Sequence, residues 1–280
     1  MFLVKTAIDL RVLVNNLKSE NKKIGFVATM GALHQGHLAL IQRSKSENDT
    51  TICSIFVNPR QFNDSSDLEK YPRPIDQDIL KLESAGNDIL FIPNPDDIYP
   101  DDFIDIPIDL GNFEHTLEGK SRPGHFKGVA TVVKRLFDLV TPDTAYFGQK
   151  DFQQTLVVKK IVDSLNLPIQ LVICDIYREP NGLAMSSRNI RLTPQQREEA
   201  GFIYNELLHL KSLLGSKPLS EAVEIVETEI TNQHPVKLEY LVVVNKNTLQ
   251  PIEDSSDYSN AVALIAVNFN GVRLLDNILL

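Results

Sequence analysis

The sequence predicts an α/β fold in which a doubly wound parallel sheet is followed by a smaller α+β domain. Between residues 24 and 178, short runs rich in valine and isoleucine alternate with segments of helical length. Apolar runs of this kind are typical of strands buried on both faces, as in a parallel sheet covered by helices. After Arg178, two helical segments come first and three strand-like segments follow. We therefore expect a Rossmann-like sheet and then a domain with segregated helices and strands.

The first predicted domain covers residues 1–176. Its expected strands are 24–30, 50–58, 87–93, 144–148 and 169–178. Its expected helices are 36–48, 75–86, 124–140 and 150–166. The helix ends agree with Gly86, Pro142 and Pro168, since glycine and proline are common where helices stop. In such a fold, ligands bind beyond the carboxyl ends of the strands.

The second predicted domain covers residues 177–280. It opens with a polar loop, EPNGLAMSSRN, and continues with helices expected at 194–215 and 219–230. The strand-like segments that follow are 237–246, 260–269 and 272–280. The sequence contains no internal repeat and no low-complexity tract.

Composition excludes several classes of protein. The 280 residues include 28 Lys and Arg against 37 Asp and Glu, which gives a net charge of −9. Nucleic-acid binding is not expected, because it usually needs a basic face. A hydrophobic fraction of 42% is enough for a sizeable core and argues against disorder.

Membrane insertion and secretion are also not expected. No apolar run reaches the roughly 18–20 residues of a membrane span. Lys5, Asp9 and Arg11 interrupt the apolar N-terminus, so it does not resemble a signal peptide. Cys53 and Cys174 both lie in apolar stretches, which predicts two buried structural thiols. We expect a cytoplasmic protein without membrane contact.

The strongest local signal is the segment Met30–His37, with the sequence MGALHQGH, directly after the first predicted strand. A helix N-terminus offers unpaired N–H groups and the positive end of the helix dipole, which attract phosphate. Gly31 and Gly36 allow close approach of the backbone, and His34 and His37 are three residues apart, so they can share one face. The segment therefore indicates a phosphate site. A metal pair is less favoured, because no third ligand stands at metal spacing.

A second signal, Phe147–Gln154, also follows a predicted strand and opens a helix. Lys150 has the charge to pair with phosphate. Asp151 suits a ribose hydroxyl, although an N-cap role explains it equally well. Gln154 lies one helical turn from Lys150 and is expected on the same side.

Two further loops carry polar groups suited to a ligand. Met185–Asn189 joins two serines to Arg188, a combination that suits phosphate binding. Asn58 and Gln61 follow the second strand and offer neutral donors and acceptors, although an Asn-Pro turn alone explains Asn58.

Asp76 and Asp78 are candidates for a Mg²⁺ contact, although an acidic first turn of a helix is the more common reason for such residues.

A Walker-type NTPase and a dinucleotide-dependent oxidoreductase are not supported. Gly119-Lys120-Ser121 resembles the end of a P-loop, but the first glycine of that motif is replaced by Glu114. The Met30–His37 segment likewise does not fit the G-x-G-x-x-G pattern.

Taken together, six segments resemble the pantothenate synthetase (pantoate–β-alanine ligase) family. They are TMGALHQGH, FVNPRQF, YPRP, LEGKSRPGHFKGVATVV, YFGQKDFQQ and REPNGLAMSSRN, and the likeness covers essentially the whole chain. The H-x-G-H element alone is shared with nucleotidyltransferases and class I aminoacyl-tRNA synthetases. Ala28 and Gln77 depart from the family, where a proline and an acid are usual.

The resemblance implies a ligase that activates (R)-pantoate with ATP and transfers the pantoyl group from the adenylate to β-alanine. Pantothenate, AMP and diphosphate would be the products, with Mg²⁺ accompanying ATP. The resemblance further implies catalytic roles for His34, His37 and Lys150. It also implies a homodimer.

The implied binding residues form two sets. Nucleotide contacts are expected from Met30, Gly31, Ala32, Leu33, His34, Gln35, Gly36, His37, Gly148, Gln149, Lys150, Asp151, Tyr177, Met185, Ser186, Ser187 and Arg188. Contacts to pantoate or β-alanine are expected from Asn58, Gln61, Phe62, Val133, Phe147 and Gln154. Asp78 is the expected metal contact. A different nucleotidyltransferase, a tRNA-charging enzyme and a nucleotide sensor remain as alternatives, and pantoate-dependent exchange of diphosphate into ATP distinguishes them.

Overall fold

A computed structural model describes residues 1–63, 68–69, 71–105, 107–252 and 257–280. Internal contacts divide the chain into two compact units. The first unit contains Met1–Gly148 and Gln153–Asp175, and the second contains Gln149–Phe152 and Ile176–Leu280. The four residues after Gly148 thus belong with the C-terminal part of the chain.

The first unit contains a parallel sheet, which confirms the predicted fold class. Its described strands are β1 (Phe2–Val4), β2 (Ile24–Thr29), β3 (Thr50–Ile55), β4 (Ile89–Phe91), β5 (Thr144–Gly148) and β6 (Gln170–Cys174). They lie in the order β1-β4-β3-β2-β5-β6, and every neighbouring pair is parallel. From β1 at one edge, the chain passes to β2 near the middle, runs back toward β1 through β3 and β4, and then crosses to the other side of β2 with β5. The carboxyl ends of β2 and β5 therefore flank the switch point, where such folds bind ligands.

The described helices of this part of the chain are α1 (Ala7–Ser19), α2 (Gln35–Glu47), α3 (Ile75–Ser84), α4 (Pro95–Ile98), α5 (Leu117–Ser121), α6 (His125–Val140) and α7 (Phe152–Ser164). The expected helices α2, α3, α6 and α7 are present with shifted ends, whereas α1, α4 and α5 were not predicted. The tripeptide Gly119–Ser121 lies inside α5, away from any strand-to-helix turn, which agrees with the rejection of a P-loop.

Sequence analysis missed β1 and α1. β1 pairs in parallel with β4 and forms one edge of the sheet. Thr6 caps α1 by accepting a hydrogen bond from the N–H of Asp9 at 3.1 Å. The Thr6/Asp9 spacing is a capping signal that was available in the sequence. A three-residue strand gives no periodicity, so its place at the sheet edge depends on a partner far along the chain.

The second unit contains an antiparallel sheet and helices, as predicted. The strands β7 (Val236–Asn245), β8 (Ala261–Phe269) and β9 (Val272–Leu279) lie in sequence order, with a bulge between Leu238 and Tyr240. The helices are α8 (Pro194–Glu199), α9 (Phe202–Leu213) and α10 (Leu219–Gln233).

The prediction of one helix over 194–215 was wrong. The segment is divided between α8 and α9, because Asn181 binds the end of α8. Its Nδ2 donates to the carbonyls of Arg197 at 2.8 Å and Glu198 at 2.9 Å. A Cβ on Gly201 would lie 2.5 Å from the Asn181 carbonyl oxygen, so only glycine permits this approach. The sequence of the helical segment alone does not indicate this contact with Asn181, so the break could not be predicted from it.

The cysteines agree only partly with the sequence analysis. Both are free, Cys53 is buried and Cys174 is half-buried. Burial raises the pKa of Cys53 to about 12, which makes it an inert thiol at neutral pH. Among the described residues, no helix is both long and apolar enough to cross a bilayer.

Candidate active site

The loop between β2 and α2 brings the two motif histidines together. His34 is the N-cap residue of α2 and His37 lies in its first turn. Their ring centroids are 4.0 Å apart. The preceding residues turn through left-handed backbone, with φ of +80° at Gly31 and +50° at Ala32. The result is a histidine pair at the N-terminus of a 13-residue helix beside the switch point of the sheet.

The hydrogen bond between the two histidines defines the tautomer of His37. Its Nδ1 accepts from the backbone N–H of His34 at 3.3 Å. A nitrogen that accepts cannot carry a proton, so the neutral ring of His37 has its proton on Nε2. Nε2 is therefore the ring nitrogen of His37 that can donate a hydrogen bond.

Two side chains of α3 form hydrogen bonds to the backbone of the loop between β2 and α2. Asp78 is 1% exposed, and its two carboxylate oxygens accept from the N–H groups of Ala32 at 2.7 Å and Leu33 at 2.8 Å. Lys81, one turn later, donates to the carbonyl of Leu33 at 2.7 Å. Hydrogen bonds to a charged group are each stronger than neutral ones, typically by about twofold. Asp78 therefore stabilises a strained turn at Ala32 that a non-glycine residue rarely adopts.

This arrangement gives Asp78 a different role from the predicted metal contact. Both carboxylate oxygens already accept backbone hydrogen bonds, and the side chain is almost completely buried. Within the described ranges, the one set of three side chains with potential metal-donor atoms within 4.8 Å is Glu206, His209 and Glu229, in the second unit. The geometry supports Asp78 as a residue that positions the histidine loop.

Gln61 lies beside that loop, in a short 3-10 helix after β3. Its Nε2 is 2.8 Å from the sulfur of Met30. Asn58 is 1% exposed and donates through Nδ2 to Gln61 Oε1 at 3.2 Å and to the Gly128 carbonyl at 3.1 Å. The predicted nucleotide loop and the predicted pantoate residue Gln61 are thus neighbours in the first unit.

Asn58 is fully engaged by protein groups. Its Oδ1 accepts from the Tyr99 hydroxyl at 2.8 Å and from the Arg60 N–H at 3.2 Å. Burial raises the pKa of Tyr99 to about 12, so this hydroxyl remains protonated and donates. With two donated and two accepted hydrogen bonds, Asn58 fixes the side chain of Gln61.

Helix α6 supports Gln61 from the other side. His125 Nδ1 is 2.8 Å from the Gln61 carbonyl oxygen. A Cβ on Gly128 would collide with the carbonyl oxygen of Arg60 and would lie 2.9 Å from the N of Gln61. The glycine is required by this close approach of a helix to a loop.

The two adjacent glutamines of α7 differ in their surroundings. Gln153 is 4% exposed, accepts from the N–H of Glu118 at 3.1 Å, and donates to the carbonyls of Phe113 at 2.8 Å and Thr116 at 3.1 Å. Gln154, the predicted pantoate residue, is half-buried. Gln153 is therefore structural.

The three predicted apolar residues also differ. Val133 and Phe147 are each 5% exposed and belong to the core between the sheet and α6. Phe62 is half-buried and meets Tyr71 edge-on, with ring centroids 5.7 Å apart. Contact between these side chains and pantoate stays a prediction.

Lys150 lies in the second unit, together with Gln149 and Asp151. Its side chain is 17% exposed, and its Nζ is 3.7 Å from Asp151 Oδ1. Asn277 of β9 donates to the carbonyls of both Gln149 and Lys150 at 3.1 Å. The turn that carries Lys150 is therefore attached to the C-terminal sheet.

The serine-arginine loop, also in the second unit, forms a 3-10 helix, Ser187–Arg191. The Ser186 hydroxyl accepts from the N–H of Arg188 at 3.3 Å and so caps it. Asn189, which is 2% exposed, donates to Glu179 at 2.8 Å and to the Ala184 carbonyl at 3.1 Å. The carbonyl of Tyr177 accepts from the N–H of Met185 at 2.9 Å, so this backbone group helps to define the loop.

Sequence analysis missed the residues that hold these loops, because their roles depend on distant partners. Tyr99 lies outside every predicted element, and Asn277 lies in the predicted strand 272–280, which carried no candidate site residue. A signal existed for Asn277: the adjacent polar residues Asp276 and Asn277 separate the apolar pairs Leu274–Leu275 and Ile278–Leu279 within one strand. Buried polar groups of this kind require hydrogen-bond partners.

Comparison with known proteins identifies a family for this chain. A family model described as pantoate-beta-alanine ligase matches residues 3–279. A pantothenate synthetase of Christiangramia forsetii is 43% identical, with 95% of each chain covered, and one of Azobacteroides pseudotrichonymphae is 44% identical, with 99% of each covered.

Solved structures give the same result. The pantothenate synthetase of Thermus thermophilus has a TM-score of 0.92 at 40% identity, with 100% of this chain and 99% of that chain covered. The pantoate-beta-alanine ligase of Francisella tularensis, solved with beta-gamma ATP and beta-alanine, has a TM-score of 0.81 at 37% identity, with 100% and 97% covered. With the family model spanning nearly its whole length, the chain belongs to the pantoate–β-alanine ligase family.

Proposed function

We propose that this chain joins pantoate to β-alanine with ATP, through a pantoyl adenylate. The observation that carries the proposal is the His34/His37 pair at the N-terminus of α2, with rings 4.0 Å apart beside the switch point of the sheet. Family membership and the relative solved with beta-gamma ATP and beta-alanine support the choice of substrates.

In the first step, a carboxylate oxygen of pantoate attacks the α-phosphorus of ATP. The bond from this phosphorus to the bridging oxygen breaks, and diphosphate leaves with the electron pair. Negative charge grows on the oxygens around phosphorus, so fixed donors aimed at them lower the barrier. The Nε2–H of His37, the ring of His34 and the first N–H groups of α2 supply such donors.

In the second step, the amine of β-alanine attacks the acyl carbon of the adenylate. The bond to the AMP oxygen breaks, AMP leaves, and the nitrogen loses a proton as the amide forms. The side-chain amides of Gln61 and Gln154 hydrogen-bond pantoate in this scheme. Asn58 acts through Gln61, since all four of its hydrogen bonds are with the protein.

The second unit supplies further positive charge for ATP. Lys150 pairs with phosphate, and Ser186, Ser187 and Arg188 bind it in the proposed site. Gly148, Gln149, Asp151, Tyr177 and Met185 contact the nucleoside or shape its loop. The C-terminal residues 177–280 serve as a lid that shields the adenylate from water.

Mg²⁺ accompanies ATP in this proposal. Mg²⁺ keeps several waters and is commonly held by substrate phosphates with few protein ligands. Asp78 does not fit as a direct ligand, because both its oxygens accept backbone N–H groups in a buried position. The ion would neutralise phosphate charge.

We further propose that the protein works as a homodimer in the cytoplasm. Light scattering on the purified protein tests the assembly, and a mass equal to one chain of 31.5 kDa would refute it.

The test of the activity is exchange of labelled diphosphate into ATP. A pantoate-activating enzyme exchanges label when pantoate is present and β-alanine is absent, because formation of the adenylate is reversible. We expect exchange that requires pantoate, and release of AMP once β-alanine is added. Exchange without pantoate, or none with it, would contradict the proposal and favour another nucleotidyltransferase or a nucleotide sensor.

A further inference from the structure

We propose that Asn277, on the last strand of the chain, is the residue that positions Lys150 for contact with phosphate. The inference rests on the proposed function, in which Lys150 binds ATP. It adds a residue that lies 127 positions further along the chain and shares no motif with Lys150.

The side chain of Asn277 makes its hydrogen bonds with the turn that carries Lys150. Its Nδ2 donates to the carbonyls of Gln149 and Lys150, both at 3.1 Å. Its Oδ1 accepts from Nε2 of Gln149 at 3.0 Å. These contacts hold two successive carbonyls and one side chain, so they define the direction in which the backbone presents Lys150.

The backbone of Asn277 is fixed in turn. Asp276, 3% exposed, accepts from Arg178 at 2.6 and 3.0 Å and from the Asn277 N–H at 2.7 Å. The guanidinium of Arg178 also donates to the Asn277 carbonyl at 3.3 Å and lies 3.6 Å from the ring centre of Tyr204. A bidentate Arg–carboxylate pair has fixed geometry, so it provides a rigid support.

Strand stability alone does not require an asparagine at this position. Asn277 is 1% exposed, and burial of an amide costs free energy unless its hydrogen bonds are made. An apolar residue in β9 would avoid that cost. The hydrogen bonds that offset it all go to the Gln149–Lys150 turn, which indicates that the residue serves the turn.

A double-mutant cycle tests the inference. The variants are Asn277→Leu, Lys150→Met and their combination, and the measurement is kcat/KM for pantoate-dependent diphosphate exchange. Misplacement of a binding group by about 1 Å can cost on the order of 10²-fold, so we expect Asn277→Leu to lower kcat/KM by about 10- to 100-fold. In the Lys150→Met background, the same substitution should change it by less than about threefold, because sites that act together are not additive.

A matched control separates positioning from strand stability. Leu274, also on β9 and 4% exposed, belongs to the core of the second unit. Leu274→Ala should lower the melting temperature, leave kcat/KM nearly unchanged in folded protein, and behave the same with or without Lys150→Met. If Asn277→Leu does not fold, Asn277→Ser replaces it in the cycle, since a serine is smaller and still polar.

The outcomes are distinguishable. If Lys150→Met leaves exchange unchanged, the proposed role of Lys150 fails. If Lys150→Met lowers exchange and the Asn277 substitution adds its full effect on top, the positioning role of Asn277 is refuted while the proposed function stands. Non-additivity at Asn277, with additivity at Leu274, supports the inference.

Discussion

At the scale of single residues, His37 is the side chain on which the proposed chemistry depends most. Its Nδ1 accepts from the His34 N–H, so Nε2 donates to the charge that grows at phosphorus. We predict that His37→Ala lowers the rate of adenylate formation by about 10²–10³-fold, the usual cost of one lost oxyanion donor. Single-turnover measurement of AMP-ester formation checks this.

The control for His37 is the exposed His115→Ala, which removes a histidine from the same unit. Both variants should give the circular dichroism spectrum of the folded parent protein. A folded His37→Ala protein with an unchanged adenylation rate would remove His37 from the mechanism.

Asp78 provides a second prediction at this scale. Asp78→Asn replaces one acceptor by an NH₂ group that faces a backbone N–H, so the turn at Ala32 and Leu33 loses one hydrogen bond and gains a repulsion. We expect a loss of about 1–3 kcal/mol in unfolding free energy, measured by urea denaturation, and slower adenylation.

The same variant separates positioning from metal binding. The concentration of Mg²⁺ that gives half-maximal rate should remain unchanged in Asp78→Asn. The exposed Glu83→Gln in the same helix is the control and should leave the rate and the Mg²⁺ requirement unchanged. A large increase in the Mg²⁺ requirement of Asp78→Asn would restore the metal-ligand hypothesis.

At the scale of elements, the packing of α6 on the 3-10 helix Pro59–Gln61 depends on Gly128. In a helix interior, alanine is normally more favourable than glycine by about 1 kcal/mol. Here the added Cβ meets the Arg60 carbonyl, so Gly128→Ala must displace the loop or the helix. We predict lower thermal stability and a KM for pantoate raised more than the KM for ATP, because Gln61 moves.

Calorimetry and steady-state kinetics measure these two effects of Gly128→Ala. Lys127→Ala, at an exposed neighbouring position of α6, is the control. Increased thermal stability in Gly128→Ala would show that an alanine Cβ fits at this contact and would contradict the prediction.

The pair α9 and α10 predicts a pH effect on stability. Burial and the nearby Glu229 raise the pKa of Glu206 above its ordinary value, while His209 opposes the shift. His234 Nε2 is 4.0 Å from the same carboxylate. Because the folded-state pKa is raised, the protonated carboxyl of Glu206 contributes to the free energy of unfolding below its unfolded-state pKa. This contribution is lost as the pH rises through the folded-state pKa.

Glu206→Gln should therefore increase the unfolding free energy at pH 7–8 relative to the parent. The gain should decrease as the pH falls through the raised folded-state pKa and be absent below the ordinary pKa of 4.5. Urea denaturation at several pH values checks this. Glu198→Gln, at an exposed site in the same unit, is the control. A pH-independent difference would refute the electrostatic explanation.

At the scale of the whole molecule, we expect ATP to protect loops in both units. The proposed nucleotide residues include 30–37 in the first unit and 185–188 in the second. A ligand at 100 times its Kd adds about 2.7 kcal/mol to the stability of the state it binds. Hydrogen exchange with Mg-ATP should slow in both segments, and GTP serves as the control nucleotide. Protection confined to one unit would contradict the assignment of phosphate contacts to Arg188 or to His37.

The sequence by itself determined the fold class, the family and the motif loops. Local patterns predict these properties. Valine-rich runs indicate buried strands, and glycine with histidine marks the loop where a strand leads into a helix. The predicted fold class was confirmed by the sheet order and by the match of the family model over residues 3–279.

Only the tertiary structure decided which polar residues hold those loops. Asp78 reaches Ala32 across 46 residues, and Asn277 reaches Gln149 across 128. Asn181 likewise ends α8, which divided a segment that its own periodicity predicted as one helix. A hydrogen bond depends on positions in space, and a sequence shows which groups need partners without showing which partners the fold brings to them.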